Sequence, residues 1–259
     1  MEYYDKALKL PAAHSSIGEF YYNDFLIDSP DHRIAIKYFK EAADVGPDTT
    51  ASFFLGVINE EKYNSSLNTS EWIFKSTTDG NEYLNEAIKW FKLGANKEGA
   101  GCINKLANLL YFKKKEYDAA FKWMKKAAEL GYTDSQTSLG VMYSKGQGTS
   151  EDQTEAIRWY KLAAGKGEFH AIYNLASRYV EGGDGLPQDC VRALEMLKSV
   201  EANNPTVNQP YEDLGYIYEK GCGSRILANL DSAKYYYAKG ARMGNDYCKK
   251  QCDRLKVPY

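Results

Sequence analysis

Apolar residues along this chain recur three and four positions apart, with charged residues between them. That spacing lines one face of an α-helix, whereas a strand would alternate with period two. One phrase carries the pattern most clearly, A-x-x-[W/Y/M]-[Y/F/M/L]-K-x-A-A-x-x-G, as in AIRWYKLAAGKG at 156–167. It begins at Ala35, Ala87, Ala120 and Ala156, and weaker copies begin at Ala193 and Ala233. The steps between starts are 52, 33, 36, 37 and 40 residues. A second phrase precedes each copy, clearest in LGVMY at 139 and LGYIY at 214. Looser forms are IGEFY at 17, LGVIN at 55, LANLL at 106 and LASRY at 175. Each unit therefore reads as helix, turn, helix.

The small residue in the second phrase (Gly140, Gly215, Ala107, Ala176) predicts close approach of a neighbouring helix. Glycine costs a helix about 1 kcal/mol against alanine, so its recurrence needs a packing reason. Glycine also fills the turns, SKGQGTSEDQTEA, VEGGDGLPQDCVRA and EKGCGSRILANLDSA, where it supplies a left-handed helix terminator. Ser150, Asp189 and Asp231 are candidate caps or first-turn acids for the helices that follow. Gly46, Gly131, Gly167 and Gly244 end the second helices.

A single hairpin of this kind cannot bury its apolar stripe, but a stack of them can. The predicted organisation is one all-α domain over 1–259. It has an N-terminal capping helix at 1–10, repeats at 12–46, 51–98, 100–131, 135–167, 171–204 and 210–244, and a C-terminal capping helix at 246–256. The second repeat carries an inserted loop, 59–85, polar and rich in Ser, Thr and Asn, with Trp72, Ile73 and Phe74.

Composition narrows the function. Hydrophobic residues are 44% and charged residues 26%, ordinary for a folded soluble chain. The net charge of −2 shows no basic footprint, so no nucleic-acid partner is expected. No apolar run approaches the ~20 residues of a membrane span, and the first residues lack the apolar run of a signal peptide. A cytoplasmic location is expected, or export if a signal has been removed. The five cysteines (Cys102, Cys190, Cys222, Cys248, Cys252) are odd in number and irregularly spaced, and read as reduced thiols. Cys248 and Cys252 share a helix face without further ligands nearby, and His14, His32 and His170 are scattered, so no metal is expected. No nucleophile elbow, P-loop or zinc-protease motif occurs, and neither a cofactor nor a catalytic residue is assigned. The 22 tyrosines fall mostly at repeat positions, as core fillers. NSS and NTS, at Asn64 and Asn68, match the glycosylation tripeptide only formally.

The stretch SLGVMYSKGQGTSEDQTEAIRWYKLAAGKG, 138–167, resembles a Sel-1-like repeat, a relative of the tetratricopeptide repeat with a longer glycine-bearing turn. The resemblance covers roughly residues 12–245. It implies a right-handed α-solenoid of about six helix-turn-helix repeats that binds proteins or peptides. One secreted branch of the family carries a disulfide within each repeat, and this chain lacks that paired pattern. In tetratricopeptide-like solenoids the first helices line the concave face, at positions two before and two or five after the key Leu. By that resemblance the groove residues are Asn104, Asn108 and Tyr111; Thr137, Val141 and Ser144; Tyr173, Ser177 and Val180; Glu212, Tyr216 and Glu219. Amides can bond a peptide backbone twice, and tyrosines give contact area at low entropy cost. Trp72 and Phe74 are further candidate partner contacts on the inserted loop. The expected function is a non-catalytic adaptor. Two other readings are an immunity protein that occludes a toxin and an enzyme whose site is assembled across repeats.

Overall fold

The computed structural model describes residues 11–23, 32–46, 48–68, 80–183, 185–204, 206–222 and 225–259. These form thirteen α-helices. They are α1 (Pro11–Asn23), α2 (His32–Val45), α3 (Thr49–Asn68), α4 (Gly80–Ala95), α5 (Ala100–Asn108), α6 (Tyr117–Glu129) and α7 (Thr133–Lys145), followed by α8 (Gln153–Ala164), α9 (Phe169–Glu181), α10 (Cys190–Asn203), α11 (Pro210–Lys220), α12 (Leu230–Arg242) and α13 (Asp246–Leu255). Among the described residues there is no strand, only isolated bridges at Gly183–Leu186 and Cys222–Ile226. The predicted capping helix at 1–10 and the side chains of Trp72 and Phe74 lie outside the described residues.

The helices fall into two compact units, 1–135 and 136–259, each a run of antiparallel hairpins packed in chain order. In the first unit Phe39, Leu55, Ile58 and Phe91 are fully buried. In the second, Leu197, Tyr211, Leu214 and Tyr237 form the centre.

The close approach expected at the small residues is present, and it comes with a size rule. A methyl group at Gly18 would lie 2.5 Å from Cε1 of Phe39; at Gly56, 2.5 Å from Phe91; at Gly140, 2.6 Å from Tyr160; and at Gly215 it would overlap the Tyr237 ring. Each aromatic stands four residues after the Ala that opens the first phrase, and its ring lies against the bare backbone of the first helix. In the third and fifth repeats the small residue is Ala107 or Ala176, and the matching position holds Met124 or Leu197 instead. Glycine thus accompanies a ring, and alanine an aliphatic chain, as close packing demands.

Turns follow the glycines. Gly146, Gly182 and Gly221 end α7, α9 and α11 at φ between 63 and 69°. Gly131, Gly167 and Gly244 end the second helices at φ between 83 and 94°. Asp189 caps α10, accepting from Arg192 N at 3.1 Å, and Asp231 is a first-turn acid of α12. The cap of α8 is Asp152, not Ser150: its Oδ1 accepts from Glu155 N at 3.0 Å, the three-residue reach that a capping side chain has.

Three features differ from the sequence reading. The segment 59–85 is not loop throughout, because α3 continues to Asn68 and α4 starts at Gly80. Its polar residues extend a solvated helix: Glu60 pairs with Lys105 at 2.9 Å, and Lys113 lies over the Tyr63 ring. The third repeat has no glycine in its turn, and there α5 runs into a π-turn, Leu109–Lys114, closed by Lys115 in the left-handed region at φ 57°. Finally, the expectation of five reduced thiols fails at one pair. Cys190 and Cys222, 32 residues apart, are joined in a disulfide, while Cys102, Cys248 and Cys252 are free and buried. The two partners come from consecutive repeats, so no spacing within one repeat announces them.

Candidate functional site

The candidate groove positions separate into three groups. Of those two before the key Leu, Asn104, Thr137 and Glu212 bond the next repeat, while Tyr173 bonds Ser177 of its own helix. Ser15, at this position in the first repeat, donates to Asp48 Oδ2 at 2.5 Å, and Asp48 Oδ1 caps α3 through Thr50 N and Ala51 N. Thr137 repeats the arrangement. It is buried, and its hydroxyl donates to Glu168 Oε2 at 2.8 Å, while Glu168 caps α9 through His170 N and Ala171 N. Asn104 accepts from Ser135 in the first turn of α7 at 2.7 Å. Glu212 bonds the side chain of Asn245, the cap of α13. These side chains clamp one hairpin to the start of the next, which occupies much of the bonding capacity of Thr137 and Asn104.

Burial opposes ionisation of Glu168, but the Ala171 N–H, the Thr137 hydroxyl and the His170 N–H outweigh it. The carboxyl is held below its ordinary range, as a caged cap should be.

Val180 and Glu219, five after the key Leu, are also committed. Val180 is buried in the core of the second unit. Ser144 is half-buried, and its carbonyl accepts from Gln153 Nε2 at 3.0 Å. Glu219 accepts from Arg254 Nη2 at 2.6 Å and from the Tyr237 hydroxyl at 3.2 Å, which fastens α11 to α13. Burial would raise its carboxyl, and Arg254 overrides this and holds it low. Tyr111 sits in the π-turn, half-buried against Phe112 and Tyr117. A π-turn adds residues per turn, so Tyr111 leaves the α-helical register that placed it beside Asn104 and Asn108.

Of the positions two after the key Leu, Tyr216 looks outward, while Val141 packs against the core. Tyr216 is 43% exposed. Asn108 is half-buried with Oδ1 lacking a hydrogen-bond partner. Ser177 is half-buried and donates to Asp213 Oδ2 at 2.5 Å.

In the second unit, α9 and α11 bring Tyr173 and Ser177 close to Glu212 and Asp213. Glu212 and Tyr216 are four apart on α11 and share its face. Asp213, missed in the sequence, belongs here through its bond to Ser177. The signal was available: Asp213 and Ser177 are 36 residues apart, one repeat period. Burial pushes the Asp213 carboxyl above its usual range, and the Ser177 bond offsets part of that. Burial also raises Glu212, helped by the charge of Asp213. Tyr173 is raised by burial and by the fields of Asp213 and Glu212. The face is aromatic and electron-rich, and a cation placed there would relieve both carboxylates.

No group of three or more His, Cys, Asp or Glu side chains able to hold a metal occurs among the described residues. None of the described helices is long and apolar enough to cross a membrane.

The Sel1 repeat family profile matches residues 11–47, 84–98, 104–132, 133–168, 169–199 and 211–245. The chitin synthase regulator SKT5 of Saccharomyces cerevisiae is 27% identical over 177 residues. That is 66% of this chain but 23% of the regulator, so the chain spans under a quarter of that relative's length. The solved structure of c5321, a protective antigen of uropathogenic Escherichia coli strains with an SLR fold, superposes with a TM-score of 0.71 at 26% identity. It covers 95% of this chain and 48% of its own. A Sel1 repeat protein from Oxalobacter formigenes gives 0.62 at 27% identity, over 91% of this chain and 86% of that one.

Proposed function

This chain belongs to the Sel1-repeat family, and from that premise we propose that its second unit holds a basic segment of a partner protein against α9 and α11. Sel1-repeat proteins act in protein–protein interaction, and the chain is a non-catalytic scaffold of that kind. The observation that supports the partner's chemistry is the pairing of Tyr216, exposed, with Glu212 and Asp213, whose burial opposes their charge. A lysine or arginine set between them gains an aromatic face and two carboxylates at once. Stacked hairpins hold these groups in fixed positions, so little entropy is lost when the partner docks. The yeast relative is named as a regulator of an enzyme. The same class of role, an adaptor that acts by binding another protein, suits this chain.

Panning a random peptide library against the chain tests the reading. Peptides bearing Lys or Arg should be enriched, and their binding should weaken as salt rises. Glu212→Gln with Tyr216→Ala should reduce binding at least tenfold, with the circular dichroism unchanged. Enriched peptides without basic residues, or full binding to the double variant, would refute the site.

A further inference from the structure

Cys190 is the first residue of α10, and Cys222 lies in the turn just beyond α11. Their Cα atoms are 6.1 Å apart across the disulfide. The bond closes a ring made of α10, the linker 204–209 and α11. The far end of this ring, beside the buried Pro210 and Tyr211, is joined to the α12–α13 connection by Asn208 Nδ2 to Met243 O at 3.1 Å and Asn245 Nδ2 to Asn208 O at 3.4 Å. Cys222 pairs with Ile226 in one bridge, a glycine at φ 68° precedes it, and Leu227 is 78% exposed. A covalent tie at such a place adds a direct bond between two consecutive repeats to the packing that already holds α10 and α11 in the core of the second unit.

We propose that Cys190–Cys222 is a redox-controlled clasp that fixes the last repeat to the one before it, closed under oxidising conditions and opened by thiols. Cys190 is buried, but Cys222 is only half-buried, so the bond is reached from its Cys222 side. Closure consumes one low-molecular-weight disulfide such as oxidised glutathione. The Cys222 thiolate attacks one of its sulfurs and expels a first glutathione thiolate. Cys190, as thiolate, then attacks Sγ of Cys222 in the mixed disulfide and expels the second. Two protein thiols are oxidised, one glutathione disulfide is reduced to two thiols, and the two protons pass through solvent to the leaving thiolates. Excess glutathione reverses both steps.

The other three cysteines stay out of this exchange. Each is fully buried, and burial pushes the Cys102 thiol up to about 11 and the Cys248 thiol up to about 12, far from the reactive thiolate form. The clasp does not depend on whether α9 and α11 bind a partner.

The chain is equilibrated with oxidised glutathione, unfolded without reductant and labelled with iodoacetamide. Three cysteines should label, and peptides carrying Cys190 and Cys222 should be recovered joined. Hydrogen exchange on the folded chain then compares oxidised protein with protein held in reduced glutathione. Amides of α11 and α12 should exchange at least tenfold faster after reduction, while those of α3 and α4 stay unchanged. Cys222→Ser should exchange like the reduced wild type and ignore reductant. If that variant does not fold, the wild-type comparison decides alone. Five labelled thiols after oxidation, or identical exchange in α11 and α12 in the two redox states, would overturn the clasp.

Discussion

The size rule between facing positions predicts how one pair behaves when it is rewritten. Gly56 and Phe91 are the cleanest test, since Phe91 is fully buried and carries no polar atom. A methyl group on Gly56 would meet Cε1, Cδ1 and Cζ of the ring at 2.5–2.7 Å, about 1 Å inside ordinary contact. The ring has limited room to retreat because Phe53 lies against it, with centroids 6.0 Å apart. Overpacking of this size costs about 1–3 kcal/mol. Alanine's better helix propensity returns about 1 kcal/mol. Gly56→Ala alone should therefore destabilise by roughly 1 kcal/mol. Phe91→Met alone removes the ring and leaves space over the glycine, at a cost of about 1–2 kcal/mol. Together they recreate the pair that the next repeat uses, Ala107 with Met124. The double variant should be close to wild type, with a coupling of about 2 kcal/mol in its favour. Urea unfolding followed by circular dichroism measures the overall cost, and hydrogen exchange of α3 and α4 amides localises it. Additivity within about 0.5 kcal/mol would show that the two positions do not sense each other and would sink the size rule.

Other expectations follow from single contacts. Asp213→Asn keeps the shape beside Ser177 and removes a charge whose burial raises its pKa. The folded chain holds that proton more tightly than the unfolded chain. Asp213 therefore subtracts stability at neutral pH, and the deficit shrinks as pH falls from its raised value towards the ordinary 3.8. The variant should unfold at higher urea than wild type at pH 7, with the gap closing by pH 4; a constant gap would contradict this. Glu168→Ala should cost about 1–2 kcal/mol at pH 7, since it removes a helix cap and orphans the Thr137 hydroxyl. Because the Glu168 pKa is depressed, its contribution is present above the ordinary carboxylate range and disappears as pH falls through the folded value. Glu168→Ala and wild type should converge in acid, and denaturant titrations at several pH values check it. Gly221→Ala puts a side chain at φ 68° with its Cβ 2.7 Å from Ile226 O, and should cost about 1–3 kcal/mol, visible as a lowered urea midpoint.

Much of the fold is written in the order of residues. The three-and-four spacing of Ala156, Tyr160 and Ala163 makes helices whatever surrounds them. Recurrence of the phrase makes hairpins, and glycine at 146, 182 and 221 marks where the first helices must stop, because a left-handed residue is needed there. These signals are local, so a sequence carries them unaided. The groove was legible only in part. Counting from the key Leu found the outward position of Tyr216, but it also selected Thr137, Asn104 and Glu219, which the fold uses to bind one hairpin to another. Whether a polar side chain faces a partner or a neighbour some 31 residues away depends on which group ends up within 3 Å of it, and no local pattern states that. The π-turn at Tyr111 arises where a repeat lacks its glycine and the chain must find another exit. The pairing of Cys190 with Cys222 is likewise a matter of distance between two turns from different repeats. Sequence by itself determined the helices, their repeat and their stops; tertiary structure decided which polar groups are spent within the stack, because contacts across repeats are set by three-dimensional proximity rather than by spacing along the chain.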